Sequence, residues 1–329
     1  MSTVAVVLAV WLAMGPAASI TTLVLIAIEI AFSFDNAIIN AKVLERLSHF
    51  WQHLFLTVGM VIAILGMRLI FPIVIVMVTA GLSWDTVVND ALHHPEVYSQ
   101  HLAAAHPAIA AFGGAFLLTL ALYFLFDDAR EVLWWDQLES RLQKIGGTLW
   151  LPPLVSLIIV VTVSLFAGDK AGTALQSGII GVVSYAALQA LITGLGKLEP
   201  KEQKIYTGFS AFLAFMYLQL LDASFSFDGV LGAFAITDKV ILIAAGLGVG
   251  AFWVRSLTVF MVRRGTLKSY IYLEHGAHYA ILVLSIALLG SIFYNVPDAL
   301  TGIAGLGIIL ASFIASYQAL KAEHAAHTR

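Results

Sequence analysis

Two stretches of this chain carry acids where acids are expensive. Glu29 is followed six residues on by Asp35 and then Asn36, across Phe32-Ser33-Phe34; Asp222 is followed six residues on by Asp228 and then Gly229, across Phe225-Ser226-Phe227. Both stretches sit inside long apolar runs, and a carboxylate at the centre of a bilayer costs roughly 2.5 to 3.5 kcal/mol on insertion scales. Four carboxylates, the Asn36 amide oxygen and freed main-chain carbonyls would form an all-oxygen set suited to hard divalent cations such as Mg2+, Ca2+ or Mn2+. The chain has no cysteine, so disulfides, thiolate metal ligands and a cysteine nucleophile are excluded.

Two basic groups accompany the acids. Arg68 follows the first stretch and Arg255 the second, each again inside an apolar run. With all six groups ionised, one divalent cation would bring the cluster to neutrality. Without it, protons must occupy some acids or the arginines must move in, so exchange of metal for protons is the expectation. A plainer reading stands beside it, in which Glu29, Asp35, Asp222 and Asp228 pair with Arg68 and Arg255 as structural ion pairs. Ser33, Ser226, Asn40 and Gln219 lie on faces adjoining the acids and are candidate outer ligands. Phe32, Phe34, Phe225 and Phe227 are read as packing.

Positioning the acids makes a demand on their helices. Residues 29, 33 and 36 share one helical face, but Asp35 points about 240° round from Glu29 on an unbroken helix. For both acids to reach one centre, the helix must bend or unwind near Ser33 and Phe34, and the second helix likewise near Ser226. A serine hydroxyl can satisfy backbone groups freed in this way, and Gly229 eases the second break.

The rest of the chain supplies the apolar surroundings. It is 60% hydrophobic and only 11% charged, against about 25% charged in an ordinary soluble domain, with a mean hydropathy of +0.93. The expected fold is all-α, a polytopic bundle of transmembrane helices in the lipid bilayer. Apolar runs of about 20 residues give nine spans: 17–44, 53–80, 108–126, 150–167, 175–194, 207–236, 240–262, 272–294 and 299–319. With the first span entering from outside, 13 of the 17 basic residues fall on the inner side, 2 on the outer side and 2 in the membrane. That asymmetry places the C-terminus in the cytoplasm, and the expected membrane is the plasma (inner) membrane.

The first acidic stretch lies in span 1 and the second in span 6, so the two helices enter from opposite sides. An inverted repeat of four spans, a linking span and four spans follows, with residues 1–170 as the first repeat, 171–200 as the linker and 201–329 as the second. Transporters built this way hold substrate near the midplane where the repeats meet. Residues 1–14 are too short to span and are expected to re-enter or lie at the interface. The histidine-bearing stretch 80–107 has no Lys or Arg and is expected to be a solvated polar loop. Residues 127–147 fit an amphipathic helix on the inner membrane surface. Glu274 and His278, four apart near the inner end of span 8 beside His275, suit either an exit site or an ordinary interfacial pair.

At Glu29 to Asn36 and Asp222 to Gly229 the chain resembles the TerC family, named for tellurium resistance and including proteins regarded as manganese exporters. It is most similar to a branch of integral membrane proteins of unknown function, where the stretch through Gly66-Met67-Arg68 also matches. The resemblance implies Mn2+ efflux with Glu29, Asp35, Asp222 and Asp228 as ligands. Gly229 departs from the family, whose better-known members often carry another polar residue there.

The expected activity is therefore transport, not catalysis, with a divalent cation, Mn2+ foremost, as substrate and no resident cofactor. No basic block suggests nucleic acid. Two other classes remain open: an intramembrane aspartyl protease, in which two Asp share a proton to activate water, and a scaffold or sensor held together by buried charges. No Gly-x-Gly-Asp segment supports the protease.

Overall fold

The computed structural model describes residues 2–198, 205–234, 236–237, 239–294 and 296–327. Among them the chain is helical, with no strand and one isolated bridge between Leu47 and Tyr206. In chain order the helices are α1 Ser2–Met14, α2 Pro16–Phe32, α3 Phe34–Leu44, α4 His49–Leu56 and α5 Val58–Val61, then a π-helix Ile62–Ile70. They continue with α6 Phe71–Ala80, α7 Trp84–His93, α8 Pro95–Leu125, α9 Asp136–Ile145, α10 Leu151–Phe166 and α11 Ala171–Leu198. The last are α12 Gly208–Phe234, α13 Val240–Arg264, α14 Thr266–Ser269, α15 Leu273–Ser291 and α16 Asp298–His327.

Seven helical elements among the described residues are long and apolar enough to cross a membrane, and eight if α2 and α3 count as one bent span. This is the make-up of a multi-pass membrane protein. The remaining apolar run of the nine forms α10, a 16-residue helix. At 1.5 Å per residue α10 extends only about 24 Å, short of a hydrocarbon core about 30 Å thick.

Contacts at the helix ends join segments far apart in sequence. Lys42 donates to Glu274 at 2.7 Å, and the Tyr206 amide to the Arg46 carbonyl at 2.6 Å. At the opposite ends Lys170 donates to the Ile292 carbonyl at 3.0 Å, and His106 meets Ser291 at 3.3 Å. Helix α1 folds back on α2 at Gly15, whose φ of 88° suits glycine; Ser19 donates to the Val7 carbonyl at 3.3 Å. Its far end meets the middle of α13, where the Trp253 indole donates to the Thr3 hydroxyl at 2.9 Å.

The polar loop expected over 80–107 is corrected. Residues 84–93 form α7, and residues 95–107 open the long helix α8. Val87, Ala91, Tyr98, Leu102 and Ala105 are buried in one core with Leu25, Val76 and Leu247. Within each of the two helices their spacing of three or four places them along one side, so apolar packing overrides the polar composition of the segment.

The helix expected within 127–147 is present as α9, but its buried residue is an acid. Glu139 is 0% exposed. Its carboxylate accepts from Arg130 at 3.1 Å, from the Tyr279 hydroxyl at 2.9 Å and from the Trp135 amide at 3.3 Å, and lies 3.3 Å from His275 Nε2. These bonds tie α9 to α15. Trp135, Ile145 and Trp150 stay exposed around it, as suits an interfacial helix with aromatic anchors.

Burial by itself would raise the Glu139 carboxyl, but its contacts with His275, Tyr279 and the Trp135 amide bring it down to about 2 from 4.5. A depressed folded pKa gives stability that is complete above the ordinary value and is lost as pH falls toward about 2. Glu139→Gln leaves Arg130 without its carboxylate, a change costing about 3 kcal/mol for a buried pair. Thermal unfolding at neutral pH should give a lower Tm for this variant, and the gap to the wild type should close as the pH is taken from about 4.5 toward 2.

Candidate functional site

Helices α2 and α13 approach closely enough to place the first acid. A β-carbon at Gly246 would lie 2.5 Å from Leu25 Cβ, and one at Gly250 would lie 2.5 Å from Glu29 Cβ. Gly246 and Gly250 are four apart, the small-residue spacing that lets membrane helices meet backbone to backbone. Glu29 is thus pressed against a helix with no side chain in its way.

The buried Glu29 carboxylate has two donors. Arg68 donates from Nη2 to Oε1, and Ser33 donates its hydroxyl to the same oxygen at 3.2 Å. Arg68 also donates from Nη1 to the carbonyl of Ala63, five residues back, at 2.7 Å. It does so from the π-helix, whose wider turns often mark functional positions. Glu29 Oε2 faces α12, where a β-carbon at Gly229 would lie 3.3 Å away.

The helix break expected at the first stretch is present. α2 ends at Phe32, Ser33 has φ −102° and ψ 17°, and α3 leaves at 52° to residues Pro16–Ala31. The second break is not: α12 runs continuously from Gly208 to Phe234 through Ser226 and Asp228. The helix continues through Gly229 and Gly232, two interior glycines within its 27 residues. The side chains of Ser226 and Asp228 lie outside the described residues, so their expected roles as outer ligand and ligand are untouched.

Asn36 joins the two stretches. Its Nδ2 donates to Asp222 Oδ1 at 2.9 Å, and Arg255 Nη2 donates to Asp222 Oδ2 at 2.8 Å. Asp222 also lies within electrostatic range of Arg68. Arg255 Nη1 donates to the Phe55 carbonyl at 2.9 Å, and its guanidinium lies 4.2 Å over the Phe55 ring. That carbonyl is available because α4 ends one residue later, and the last turn of a helix has spare acceptors.

Asp35 differs from the other two described acids. It is 6% exposed, and among the described residues it has no cationic partner; its Oδ1 accepts from the Asn36 amide at 2.8 Å. It sits in the first turn of α3, where the helix dipole favours negative charge. On the same helix the amide oxygens of Asn36 and Asn40 are buried without a donor among the described residues, as are both polar atoms of the Gln219 amide. Asn36 and Asn40, four apart, share one face of α3 that meets Asp222 through Asn36, and amide and carboxylate oxygens are the ligands a hard cation takes. No group of three acidic or histidine side chains suited to a metal ion occurs among the described residues, so amide oxygens would have to complete any such set.

The structure therefore brings together Glu29, Ser33 and Arg68 in one ion-paired group and Asn36, Asp222 and Arg255 in a second, with Gln219 close to Arg255; Asp35 and Asn40 lie on the same helix as Asn36. Glu274 does not join this centre and pairs with Lys42, while His278 stacks on Phe124 at 3.7 Å. The Phe55 carbonyl and the π-helix were not anticipated; neither leaves a recognisable residue signature. The Gly246 and Gly250 contact has one, a glycine pair four apart within an apolar run.

The fold and this centre define a multi-pass helical membrane protein with a buried acid–arginine network. Residues 34–323 match the family described as protein of unknown function (DUF475), and the chain belongs to that family. Asp35, Asn36, Arg68, Asp222 and Arg255 fall inside the matched stretch and Glu29 just before it. No curated protein and no solved structure matches the chain.

If the arginines are counter-charges, removing one should cost more than removing its pair. Arg255→Met strands the buried Asp222 carboxylate, at a cost of about 3 to 5 kcal/mol. Asp222→Asn combined with Arg255→Met should recover much of that loss. Thermal unfolding in detergent checks this: additive losses in Tm would mean that the two groups do not depend on each other.

Proposed function

We propose that this chain is a secondary transporter moving a divalent metal cation, Mn2+ foremost, from the cytoplasm outward in exchange for protons. One observation carries the reading: Asp35 is a buried carboxylate with no described cation beside it, on the same helix as Asn36 and Asn40, whose buried amide oxygens have no donor among the described residues. An uncompensated acid at bilayer depth is costly and marks ion pathways. In this reading the ion binds Asp35, Asn36 and Asp222, with Glu29 and Asp228 contributing as Arg68 and Arg255 yield their partners. The likeness to TerC-type exporters belongs to the same proposal.

The nine-span inverted repeat is part of it. Counting α10 as a short span and α2 with α3 as one broken span gives nine. The end contacts support that count, because Lys42 with Glu274 and Arg46 with Tyr206 then lie at the inner face, and Lys170 with Ile292 and His106 with Ser291 at the outer face. Each half also repeats one pattern, in which the first acid of the stretch meets the arginine of the helix that follows. The C-terminus then faces the cytoplasm.

The ion pairs themselves favour a second reading, that of a scaffold whose buried charges fasten helices. Mn2+ uptake into inverted vesicles with a lumenal pH indicator separates the two. Transport predicts Mn2+ uptake with proton release from the lumen, and a loss of at least about tenfold in Asp35→Asn. That variant should fold normally with an unchanged or higher Tm, since it removes an uncompensated buried charge. The scaffold reading predicts no Mn2+ flux in any variant and no proton movement.

A further inference from the structure

Gln219 is a buried amide that nothing described satisfies. It is 3% exposed, and neither its Nε2 nor its Oε1 has a hydrogen-bond partner among the described residues. Leaving such a group unmade is normally costly, so its retention calls for a second arrangement in which it bonds. The residue beside it is Arg255. A β-carbon at Gly59 would lie 2.8 Å from Arg255 Nη1 and 2.9 Å from Gln219 Nε2, so both side chains converge on space left open by one glycine. Gln219 precedes Asp222 by three residues on α12, which puts their side chains one above the other.

This geometry matters because a metal ion at Asp222 would compete with Arg255, a second positive group, for the same carboxylate. Its Oδ2 is held by Arg255 and its Oδ1 by Asn36. A metal ion taking Oδ2 repels the guanidinium, which then needs a new acceptor in a buried site. The Arg255 Nε is itself unpartnered among the described residues, so the guanidinium has a donor free to redirect. Phe55 holds the same guanidinium through Nη1 and its ring, so the head can turn Nη2 away from Asp222 while Nη1 stays bound there.

We propose that Gln219 is the alternative acceptor for Arg255: turned so that Oε1 faces the guanidinium, it receives Arg255 when a divalent cation claims Asp222. Gln219 is a positioning residue, acting on the ion only through Arg255. The inference rests on the transport reading above and names how that site exchanges an internal cation for an external one.

Mn2+ binding to the purified full-length chain, followed by the electron paramagnetic resonance signal of free Mn2+, tests it together with Tm in the absence of metal. Gln219→Met keeps the length of the side chain and removes the acceptor; it should weaken Mn2+ binding by about tenfold while leaving the metal-free Tm unchanged or higher. Gln219→Glu keeps an acceptor for Arg255 and should bind Mn2+ at least as tightly as the wild type. In an Arg255→Met background, Gln219→Met should have no further effect. Wild-type affinity in Gln219→Met overturns the proposal, as does a fall in Tm with equal loss in both Gln219 variants, which would mark a packing role. An undiminished loss without Arg255 also overturns it, because Gln219 would then be a direct ligand. A wild-type chain that binds no Mn2+ would overturn the transport reading and this proposal together, whereas binding that ignores Gln219 would remove this proposal alone.

Discussion

A charge in hydrocarbon must be answered by another charge, by hydrogen bonds, or by a proton, and the interior of this protein is arranged around that requirement. Glu29 is answered by Arg68 and Ser33, and Asp222 by Arg255 and Asn36. The answers come from different helices, so neutralising the acids also fixes which helices are neighbours. Asn36 then ties the first stretch to the second pair through Asp222, joining two distant parts of the chain. Among the described residues Asp35 is left with local backbone donation alone. Selection for stability alone would pair or remove such a group, as strained and uncompensated features persist mainly where they serve a site.

Close backbone approach makes the network possible. Without side chains at Gly246 and Gly250, α2 and α13 pack tightly enough to hold Glu29 against Arg68 and α12. The interruption at Ser33 turns α3 through 52°, so that Asp35 and Asn36 open a new helix instead of continuing the old one. The π-helix lets Arg68 reach both Glu29 and the Ala63 carbonyl. Each device departs from a straight, uniform membrane helix, and all of them lie around the acids.

Much of this was legible in the residues and some was not. The apolar runs mark the helices well, because a bilayer demands length and hydrophobicity of every spanning segment. The acids and arginines declared themselves by being costly where they stand. The break at Ser33 followed from geometry, since Glu29 and Asp35 cannot share one face of a straight helix; applied to α12 the same argument failed, because helix continuity is decided by packing that the spacing does not encode. The stretch 80–107 misled through its composition: its histidines and acids suggested solvent, while Val87, Ala91, Tyr98 and Leu102 already carried a helical period. Which helix supplies the partner of each charge is a tertiary fact. Phe55, acting through its carbonyl and ring, could not be read from a side-chain inventory.

The central claim of the proposed function is that Asp35, Asn36 and Asp222 together form a place for a divalent cation between α3 and α12. Crystals of the chain grown with Mn2+ and measured at the manganese absorption edge test it most directly. The account predicts an anomalous peak among these three side chains, with Arg255 displaced from Asp222. Anomalous signal confined to surface residues, with Arg255 still holding Asp222, would contradict it.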